Sequence, residues 1–256
     1  MPALRSQLRR VTVLEQVDST NTELSRQPHA EQHAHALLAE MQTSGRGRGD
    51  RHWHSPAGGN VYLSLGWHFR EPGPDHAALP LAVAVAVSEA LNAIGLQGAG
   101  IKWPNDILVD GRKLAGILVE SQGRGTSDAT VIAGVGVNVR MRRANEADTV
   151  IDRPWTDLES HLPAASLPVD RNRLVSGLLD RLIAAFGRFE RSGFERFRPR
   201  YQALDLLADR KLTLEYEGRE ICGTGCGIDD TGRLLITLPD GGTRAFHSGE
   251  ARLHAG

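Results

Sequence analysis

The chain is poor in the residues on which many small structural sites depend. Its 256 residues include only two cysteines, Cys222 and Cys226, both in the glycine-rich segment CGTGC. A zinc site would need further ligands at paired spacing, and only His247 and His254 follow nearby. We therefore predict no zinc site, and we expect both cysteines to be buried or half-buried.

The chain also lacks any concentration of charge or of apolar residues. Its net charge is −1, which provides no positive field for attracting nucleic acid. The longest apolar run, residues 79–87, is much shorter than the roughly 20 residues that cross a bilayer. The N-terminal segment MPALRSQLRRVTVLEQ is basic but lacks the apolar core of a secretory signal. These absences predict a cytoplasmic protein with no membrane partner and no nucleic-acid partner.

Lysine is scarce, although the chain has 30 basic residues. The three lysines are Lys102, Lys113 and Lys211, and the first two lie eleven positions apart in the segment IKWPNDILVDGRKLAG. With so few lysines, chance placement is one explanation. The other is that this segment needs a compact ammonium group, which a guanidinium does not replace.

A segment rich in glycine and arginine is the most informative part of the sequence. Residues 43–60 read TSGRGRGDRHWHSPAGGN. Glycine lets backbone N–H groups approach a ligand closely, and arginine pairs with carboxylate or phosphate through two parallel hydrogen bonds. The segment therefore predicts an anion-binding loop.

Patterns of apolar residues predict both strands and helices. The predicted strands are residues 11–15, 36–40, 61–69, 101–109, 113–121 and 130–139. A first helix is expected to begin at Ser19 or Thr20, because Thr20 and Glu23 fit a capping box. Further helices are predicted at residues 79–94, 174–190 and 194–208. Residues 140–153 have no pattern and are predicted to form a loop.

The sequence changes in character near residue 210. From there it consists of short β-type runs separated by Gly and Asp turns, which predicts a small β-barrel-like appendage. We therefore expect a mixed α/β domain over residues 1–208 and a small β domain over residues 209–256. The combination of hairpins with crossover helices argues against a doubly wound parallel sheet.

The Asp-Gly pair at 110–111 predicts a two-residue hairpin turn, which fixes the strand register. In that register Leu108 faces Lys113 and Asp106 faces Ala115. One sheet face then carries Lys102, Pro104, Asp106, Leu108 and Lys113, and the other carries Trp103, Asn105 and Gly116. Asp106 and Lys113 become diagonal neighbours, which fits either a surface salt bridge of little energy or a metal ligand beside an anion-binding lysine.

Two common nucleotide-binding motifs are absent. The chain contains no Gly-Lys pair, which excludes a P-loop. The segment GVGVN at 134–138 lacks the third glycine of a dinucleotide fingerprint, and no helix is predicted after it. Any nucleotide site must have another design.

Taken together, the motifs resemble those of the biotin–protein ligases. The matching segments are STN at 19–21, Gln42, GRGR at 45–48, W.SP at 53–56, N.Y.S at 60–64, KWPND at 102–106, KLAGILVE at 113–120 and G.G.N at 134–138. GID..G at 227–232 and SGE at 248–250 resemble the small C-terminal domain of the family. The resemblance covers almost the whole chain, in order.

The resemblance implies an α+β fold with a mixed, mainly antiparallel sheet, packed helices and a small C-terminal SH3-like β-barrel. It implies an enzyme that makes biotinyl-5′-AMP from biotin and ATP with Mg²⁺. The enzyme then transfers biotin to one lysine of a biotin carboxyl carrier protein. A monomer and a homodimer both remain open.

The resemblance also implies roles for individual residues. Arg48 and Lys113 are the expected catalytic residues. The expected biotin contacts are Ser19, Thr20, Asn21, Gln42, Gly45, Arg46, Gly47, Arg48, Lys113 and Gly116. The expected contacts to ATP or the adenylate are Arg48, Arg51, Trp53, Asn105, Asp106 and Asn138, and Asp106 is the expected Mg²⁺ ligand.

Two departures from the family pattern stand out. Asp50 puts an acidic residue inside the anion-binding loop, where a basic residue is usual. The first strand is expected near residue 11, which leaves no room for the DNA-binding domain found before some ligases, so no repressor activity is expected.

Two alternative functions remain. A lipoate ligase would use a similar scaffold, but KWPND together with GRGR favours biotin. A nucleic-acid-binding module would use the Gly/Arg segment differently, and it is disfavoured by the near-zero net charge and the absence of a basic stripe with aromatics.

Overall fold

The computed structural model describes residues 7–49, 51–69, 76–122, 129–141, 151 and 153–254. The first sheet contains β1 (Arg10–Val17), β2 (His35–Gln42), β3 (Val61–Phe69), β4 (Gly100–Lys102), β5 (Asp106–Val109), β6 (Arg112–Gln122) and β7 (Ala129–Val137). Its strand order is β1-β2-β3-β7-β6-β5-β4. The β1–β2 pair is parallel and the other neighbours are antiparallel, so the predicted mixed sheet is confirmed.

Helices cover both faces of this sheet. They are α1 (Thr20–Arg26), α2 (His29–Gln32), α3 (Leu79–Ala93), α4 (Arg171–Ser192) and α5 (Arg198–Gln202). The apolar α3 and the amphipathic α4 pack on the face that receives Leu63 and Leu65 of β3. On the opposite face, Leu24 of α1 packs against Leu37 and Ile132. None of the helices described is long and apolar enough to cross a membrane.

A second, five-stranded antiparallel sheet follows the helices, in the region where a small β-barrel-like appendage was predicted. Its strands are β8 (Lys211–Tyr216), β9 (Arg219–Ile228), β10 (Leu234–Thr237), β11 (Thr243–Phe246) and β12 (Glu250–Leu253), in the order β11-β10-β9-β8-β12. It is tied to the first sheet by a buried hydrogen bond from Trp103 Nε1 to the carbonyl of Gly232, at 3.0 Å. Cys222 and Cys226 lie on β9 and are both exposed, so the expectation that they are at least half-buried is wrong.

Two predicted elements differ from the structure because short segments form backbone pairs that their own sequence patterns do not show. The strand expected over residues 101–109 is two antiparallel strands, β4 and β5, joined by a turn at residues 103–105. The helix expected over residues 194–208 contains only the five residues of α5. The backbone of Ile101 pairs with Leu204 and Leu206, and this pairing requires an extended chain there.

The first helix, α1, begins at Thr20, as predicted, but without the predicted capping box. Ser19 is the N-cap, and its side chain accepts a hydrogen bond from the backbone N–H of Thr22. Thr20 is therefore the first helical residue, and its side chain turns to the sheet. Glu23 pairs with Arg26 one turn later and does not close a box.

Candidate functional site

A cavity of about 560 Å³ lies where the first sheet meets the Gly/Arg loop. Its walls come from the N-terminal turn of α1, the end of β2, the β5–β6 hairpin, β7 and residues 151 and 153–155. Every residue that the sequence led us to expect in contact with a ligand or metal lines it, namely Ser19, Thr20, Asn21, Gln42, Gly45, Arg46, Gly47, Arg48, Arg51, Trp53, Asn105, Asp106, Lys113, Gly116 and Asn138. The fold thus brings together segments more than a hundred residues apart.

One end of the cavity is neutral and polar. The backbone N–H and the hydroxyl of Thr20 both donate to Gln42 Oε1, at 2.9 and 3.1 Å. Asn21 Oδ1 lies 2.6 Å from the hydroxyl of Ser64 on β3. Ser19, Thr20, Asn21 and Ser64 are all buried. This end can offer both donors and acceptors to a neutral polar ring.

The Gly/Arg loop closes the cavity as a short hairpin. Gly47 N–H donates to Arg51 O at 2.7 Å, and Trp53 N–H donates to Gly45 O at 2.8 Å. Gly45 has no room for a side chain, because an added Cβ would lie 2.6 Å from the Ser55 hydroxyl. Asp50, the unexpected acidic residue of this loop, lies outside the described residues.

Arg48 points its cationic group into the partly buried interior of the site. Burial lowers the pKa of its guanidinium, and the nearby charge of Arg51 lowers it further. The charges of Asp106 and Glu250 raise the pKa and offset only part of these two effects, and an anionic ligand would offset more.

Lys113 and Asp106 form the centre of the site. Lys113 Nζ lies 2.7 Å from Asp106 Oδ1, and the two side chains are 25% and 11% exposed. The ammonium also lies over the Trp53 ring, 5.1 Å from its centroid. The predicted proximity of the two residues is confirmed, and the site combines a sheltered cation with a carboxylate.

The register that produces this pair differs from the predicted one. Val109 faces Arg112 and Leu108 faces Lys113, as predicted, but Asp106 faces Gly116 and not Ala115. The cause is a register shift between Ile107 and Leu108 that inserts one extra residue on β6.

The shift also changes which face Gly116 occupies. An added Cβ at Gly116 would lie 2.7 Å from Trp53 and 3.3 Å from Lys113 Nζ, so Gly116 faces the cavity and not the opposite side. Gly136, its partner on β7, also lies under the Trp53 ring. Asn105 also lines the cavity, and Trp103 is buried at the contact with the second sheet.

The far end of the cavity is rich in charge. Glu250 of β12 forms ion pairs with Arg51, at 3.3 Å, and with Arg153. Burial alone would raise the pKa of Glu250, but its hydrogen bond with Arg153 and the charge of Arg51 outweigh burial and lower it. Burial lowers the pKa of Lys102, which the charges of Asp106 and Glu250 partly offset. The second sheet thus contributes directly to the electrostatics of the site.

Arg153, Trp155 and Glu250 belong to this site but were not assigned to it from the sequence. The backbone of Lys113 pairs with residues 154 and 156 through hydrogen bonds of 2.9 and 3.0 Å, and this pairing places Arg153 and Trp155 in the cavity wall. Asn138 Nδ2 holds the same segment through Thr156 O at 3.0 Å. A tryptophan in an otherwise polar segment was the available signal for Trp155. For Glu250 the signal was the SGE motif. The rest of the predicted loop, residues 142–150 and 152, lies outside the described residues.

The residues present fit a magnesium ion only in the presence of a phosphate ligand. Among the described residues, no group of three or more His, Cys, Asp or Glu side chains could hold a metal. Mg²⁺ is commonly bound by one or two carboxylates together with substrate phosphates, and Asp106 supplies one carboxylate at the centre of the cavity.

Two family models match the chain. One describes the "Biotin/lipoate A/B protein ligase family" and matches residues 13–138, and the other describes the "Biotin protein ligase C terminal domain" and matches residues 210–253. Both regions carry parts of the site.

Curated relatives and a solved structure agree with these models. The chain is 38% identical to the "Bifunctional ligase/repressor BirA" of Salmonella typhimurium, over 96% of this chain and 74% of the relative. It is 34% identical to the "Biotin--[acetyl-CoA-carboxylase] ligase" of Mycobacterium tuberculosis, over 90% and 84% of the two chains. The structure of the biotin protein ligase from Aquifex aeolicus in complex with biotin and ATP superposes with a TM-score of 0.81 at 28% identity, covering 97% of this chain and all of that one.

Proposed function

The chain belongs to the biotin/lipoate A/B protein ligase family, and we propose from this and from its cavity that it is a biotin–protein ligase. It activates biotin with ATP and Mg²⁺ as biotinyl-5′-AMP and then transfers biotin to a lysine of a biotin carboxyl carrier protein. The observation that carries the proposal is the single cavity that joins a neutral polar end to a cationic centre.

The neutral end suits the ureido ring of biotin. This ring has two N–H donors and one carbonyl acceptor, and it needs buried partners of both kinds. Thr20, Asn21 and Gln42 supply amide and hydroxyl groups there, and Ser19 extends the set. A ring that is fully hydrogen-bonded in a buried site is strongly selected over one that leaves these groups unpaired.

The cationic centre suits the first chemical step. A carboxylate oxygen of biotin attacks the α-phosphorus of ATP, the bond to the β-phosphate breaks, and pyrophosphate leaves. Two anions must approach each other, so the main task of the site is to offset their repulsion in the transition state. Lys113 lies at the middle of the cavity and Arg48 in the loop above it, and both are assigned this task.

Asp106 sets the position of Lys113 through their ion pair. It is also the carboxylate assigned to Mg²⁺, which supplies charge neutralisation of the phosphates when it is bound. Asn105 lies beside it in the cavity wall.

The remaining wall is assigned to the nucleotide. Trp53 and Asn138, together with Arg51, line this part of the cavity. Trp155 adds a half-buried indole that can stack on a purine, and Arg153 adds a second cation next to Glu250.

The second step needs less from the site. The amine of the acceptor lysine, once deprotonated, attacks the carbonyl carbon of the adenylate, an amide bond forms, and AMP leaves with the electrons of the broken bond. Closing the Gly/Arg loop over the adenylate protects the intermediate from water until the carrier protein arrives.

The domain division, cellular location and absence of a nucleic-acid partner remain proposals. The division near residue 209 is supported by the separate second sheet. The cytoplasmic location and the absence of nucleic-acid binding rest on the near-zero net charge and the other sequence features given above.

The deciding experiment is mass spectrometry of a biotin carrier domain after incubation with this protein, biotin, ATP and Mg²⁺. The expected result is a mass increase of one biotin on one lysine, which requires all three additions. Lipoate in place of biotin is the control for the related ligase activity. No mass change with biotin, or a change with lipoate alone, would contradict the proposal.

A further inference from the structure

Residues 154–156 carry Trp155 and lie alongside the backbone of Lys113. Lys113 N–H donates to Pro154 O at 2.9 Å, and Thr156 N–H donates to Lys113 O at 3.0 Å. Trp155 and Lys113 are thus partners in a parallel bridge, and both side chains line the cavity. This short pairing holds the indole assigned to the nucleotide in register with the ammonium assigned to the reaction.

Thr156 fixes this segment from the side opposite the cavity. Successive side chains of an extended chain point to opposite sides, so Trp155 lines the cavity and Thr156 does not. The Thr156 side chain is buried, and its hydroxyl lies 2.8 Å from His161 Nε2. Asn138 Nδ2 donates to the carbonyl of Thr156 at 3.0 Å. The back of the segment is therefore held by one side chain from the sheet and one from the chain that follows.

His161 stands at the end of a short 3₁₀ turn, Leu158–His161, which is itself anchored to the first sheet. Asp157 is the N-cap of this turn and is buried. One of its carboxylate oxygens accepts from Ser160 N–H at 3.0 Å, and the other accepts from Met141 N–H, just after β7, at 2.8 Å. The turn therefore gives the imidazole of His161 a fixed base.

The surroundings of this imidazole decide which of its nitrogens accepts. Nδ1 faces the carboxylate of Asp110, with 4.0 Å to Oδ2, and an ionised carboxylate can only accept a hydrogen bond. This arrangement favours a proton on Nδ1 and leaves Nε2 as the acceptor, so the Thr156 hydroxyl donates to Nε2. The Asp110 side chain is 82% exposed, so its own contribution to the position of the ring is small.

We propose that His161 is a positioning residue for the nucleotide: through the Thr156 hydroxyl it holds residues 154–156, and with them Trp155, in place before ATP binds. This inference rests on the proposed function. Without the hydrogen bond the hydroxyl of Thr156 stays buried and unpaired, and the segment loses one of the two side chains that hold its back. The segment must then be ordered when ATP binds, which lowers the affinity for ATP.

The loss should appear in KM for ATP and leave two other quantities nearly unchanged. Once ATP is bound, the backbone pairing with Lys113 still sets the register, so kcat at saturating substrates should be close to wild type. The neutral end of the cavity is built from α1 and β2 and not from residues 154–156, so biotin affinity should also be kept. A purely structural role would not separate the two substrates in this way.

The test uses the full chain carrying Thr156→Val, which keeps the shape of the side chain and removes its hydroxyl. The matched control is Thr12→Val, because Thr12 on β1 makes the same kind of bond, 2.9 Å from His35 Nε2, and lies outside the cavity wall. In pyrophosphate release, we expect Thr156→Val to raise KM for ATP by about tenfold and to change kcat by less than about twofold. Calorimetry should show unchanged biotin affinity, and Thr12→Val should match wild type in all three measurements.

Two further variants test the route through the hydroxyl. Thr156→Ser keeps the hydroxyl and should restore KM for ATP, whereas His161→Ala should raise it as Thr156→Val does. If His161 acts through Thr156, combining His161→Ala with Thr156→Val adds nothing further.

A wild-type KM for ATP in Thr156→Val, or an equal loss of affinity for ATP and biotin, would overturn the inference, because the hydrogen bond would then serve stability alone. Effects that multiply in the double variant would also overturn it. Failure of the wild-type protein to bind biotin or to release pyrophosphate would instead refute the proposed function.

Discussion

The assignment of Lys113 to the first chemical step predicts a large and specific loss of activity in Lys113→Met. The side chain is sheltered at 25% exposure, and its ammonium is directed to the centre of the cavity. A unit charge at about 4 Å from a developing negative charge, in the effective dielectric of a partly buried site, contributes about 4 kcal/mol. Removing one such preorganised group typically lowers kcat by about 10²–10³. We expect a loss in that range for formation of the adenylate.

The same substitution has a smaller effect on stability. It removes the partner of Asp106, which is 11% exposed, but Lys102 still contributes favourable charge near that carboxylate. The melting temperature should therefore shift by a few degrees at most, and the variant can be assayed as a folded protein. Lys113→Arg should recover only part of the activity, because Trp53 and Gly116 crowd the position of the ammonium.

The assay is pyrophosphate release at saturating biotin and ATP, with unfolding followed separately. Lys211→Met is the matched control, since Lys211 lies on β8 outside the cavity wall and should keep wild-type turnover. Transfer from chemically supplied biotinyl-5′-AMP should be much less affected in Lys113→Met, because the adenylate is already made. Pyrophosphate release by Lys113→Met within tenfold of wild type would refute the reasoning.

Three further predictions concern the cavity floor, the second sheet and a buried carboxyl. Gly136→Ala should weaken biotin and adenylate binding by at least about tenfold in calorimetry, because the new methyl would lie 2.6 Å from Trp53 Nε1. Glu250→Gln should raise KM for ATP by up to about tenfold with a smaller change in kcat, because Arg51 loses its anchor and must be ordered on binding. Burial raises the pKa of Asp205, so its ionised form opposes folding at neutral pH. Asp205→Asn should therefore raise the melting temperature by about 2 °C at pH 7, and the gain should shrink as the pH falls towards the ordinary aspartate value of 3.8. An unchanged calorimetric titration would contradict the prediction for Gly136→Ala. An unchanged KM for ATP would contradict the one for Glu250→Gln, and a lower melting temperature at pH 7 would contradict the one for Asp205→Asn.

Much of the fold could be predicted because its long elements have strong patterns. The strand expected at residues 61–69 has the same bounds in the structure, and the apolar helix expected at 79–94 ends one residue earlier. The predictions that were wrong concern segments that form only short elements in the structure. Residues 101–109 fold into the short β4–β5 pair across a turn at residues 103–105. Residues 194–208 are shaped by pairing between Ile101 and the chain near Leu204, and a contact between residues more than a hundred positions apart leaves no local pattern.

The register of the β5–β6 hairpin shows the same limit at the site itself. The Asp-Gly turn correctly places Val109 opposite Arg112, because the turn geometry is local. The extra residue enters two positions later, where Leu114 is fully buried in the core. Core packing determines that position, and the alternation of residues along the strand does not reveal it. As a result Gly116 lies on the cavity face, opposite to the expectation.

The three arginines of the loop are not equivalent, and the difference bears on how the loop works. Arg46 is held by Glu120 and Arg51 by Glu250, so both sides of the loop are anchored to carboxylates from separate parts of the fold. Within the described residues, no carboxylate forms an ion pair with Arg48, and burial and the charge of Arg51 both lower the pKa of its guanidinium. The anchors keep this disfavoured cation over the cavity. An anion that binds there relieves the cost, so the loop is organised in advance for a ligand that carries negative charge at that one point.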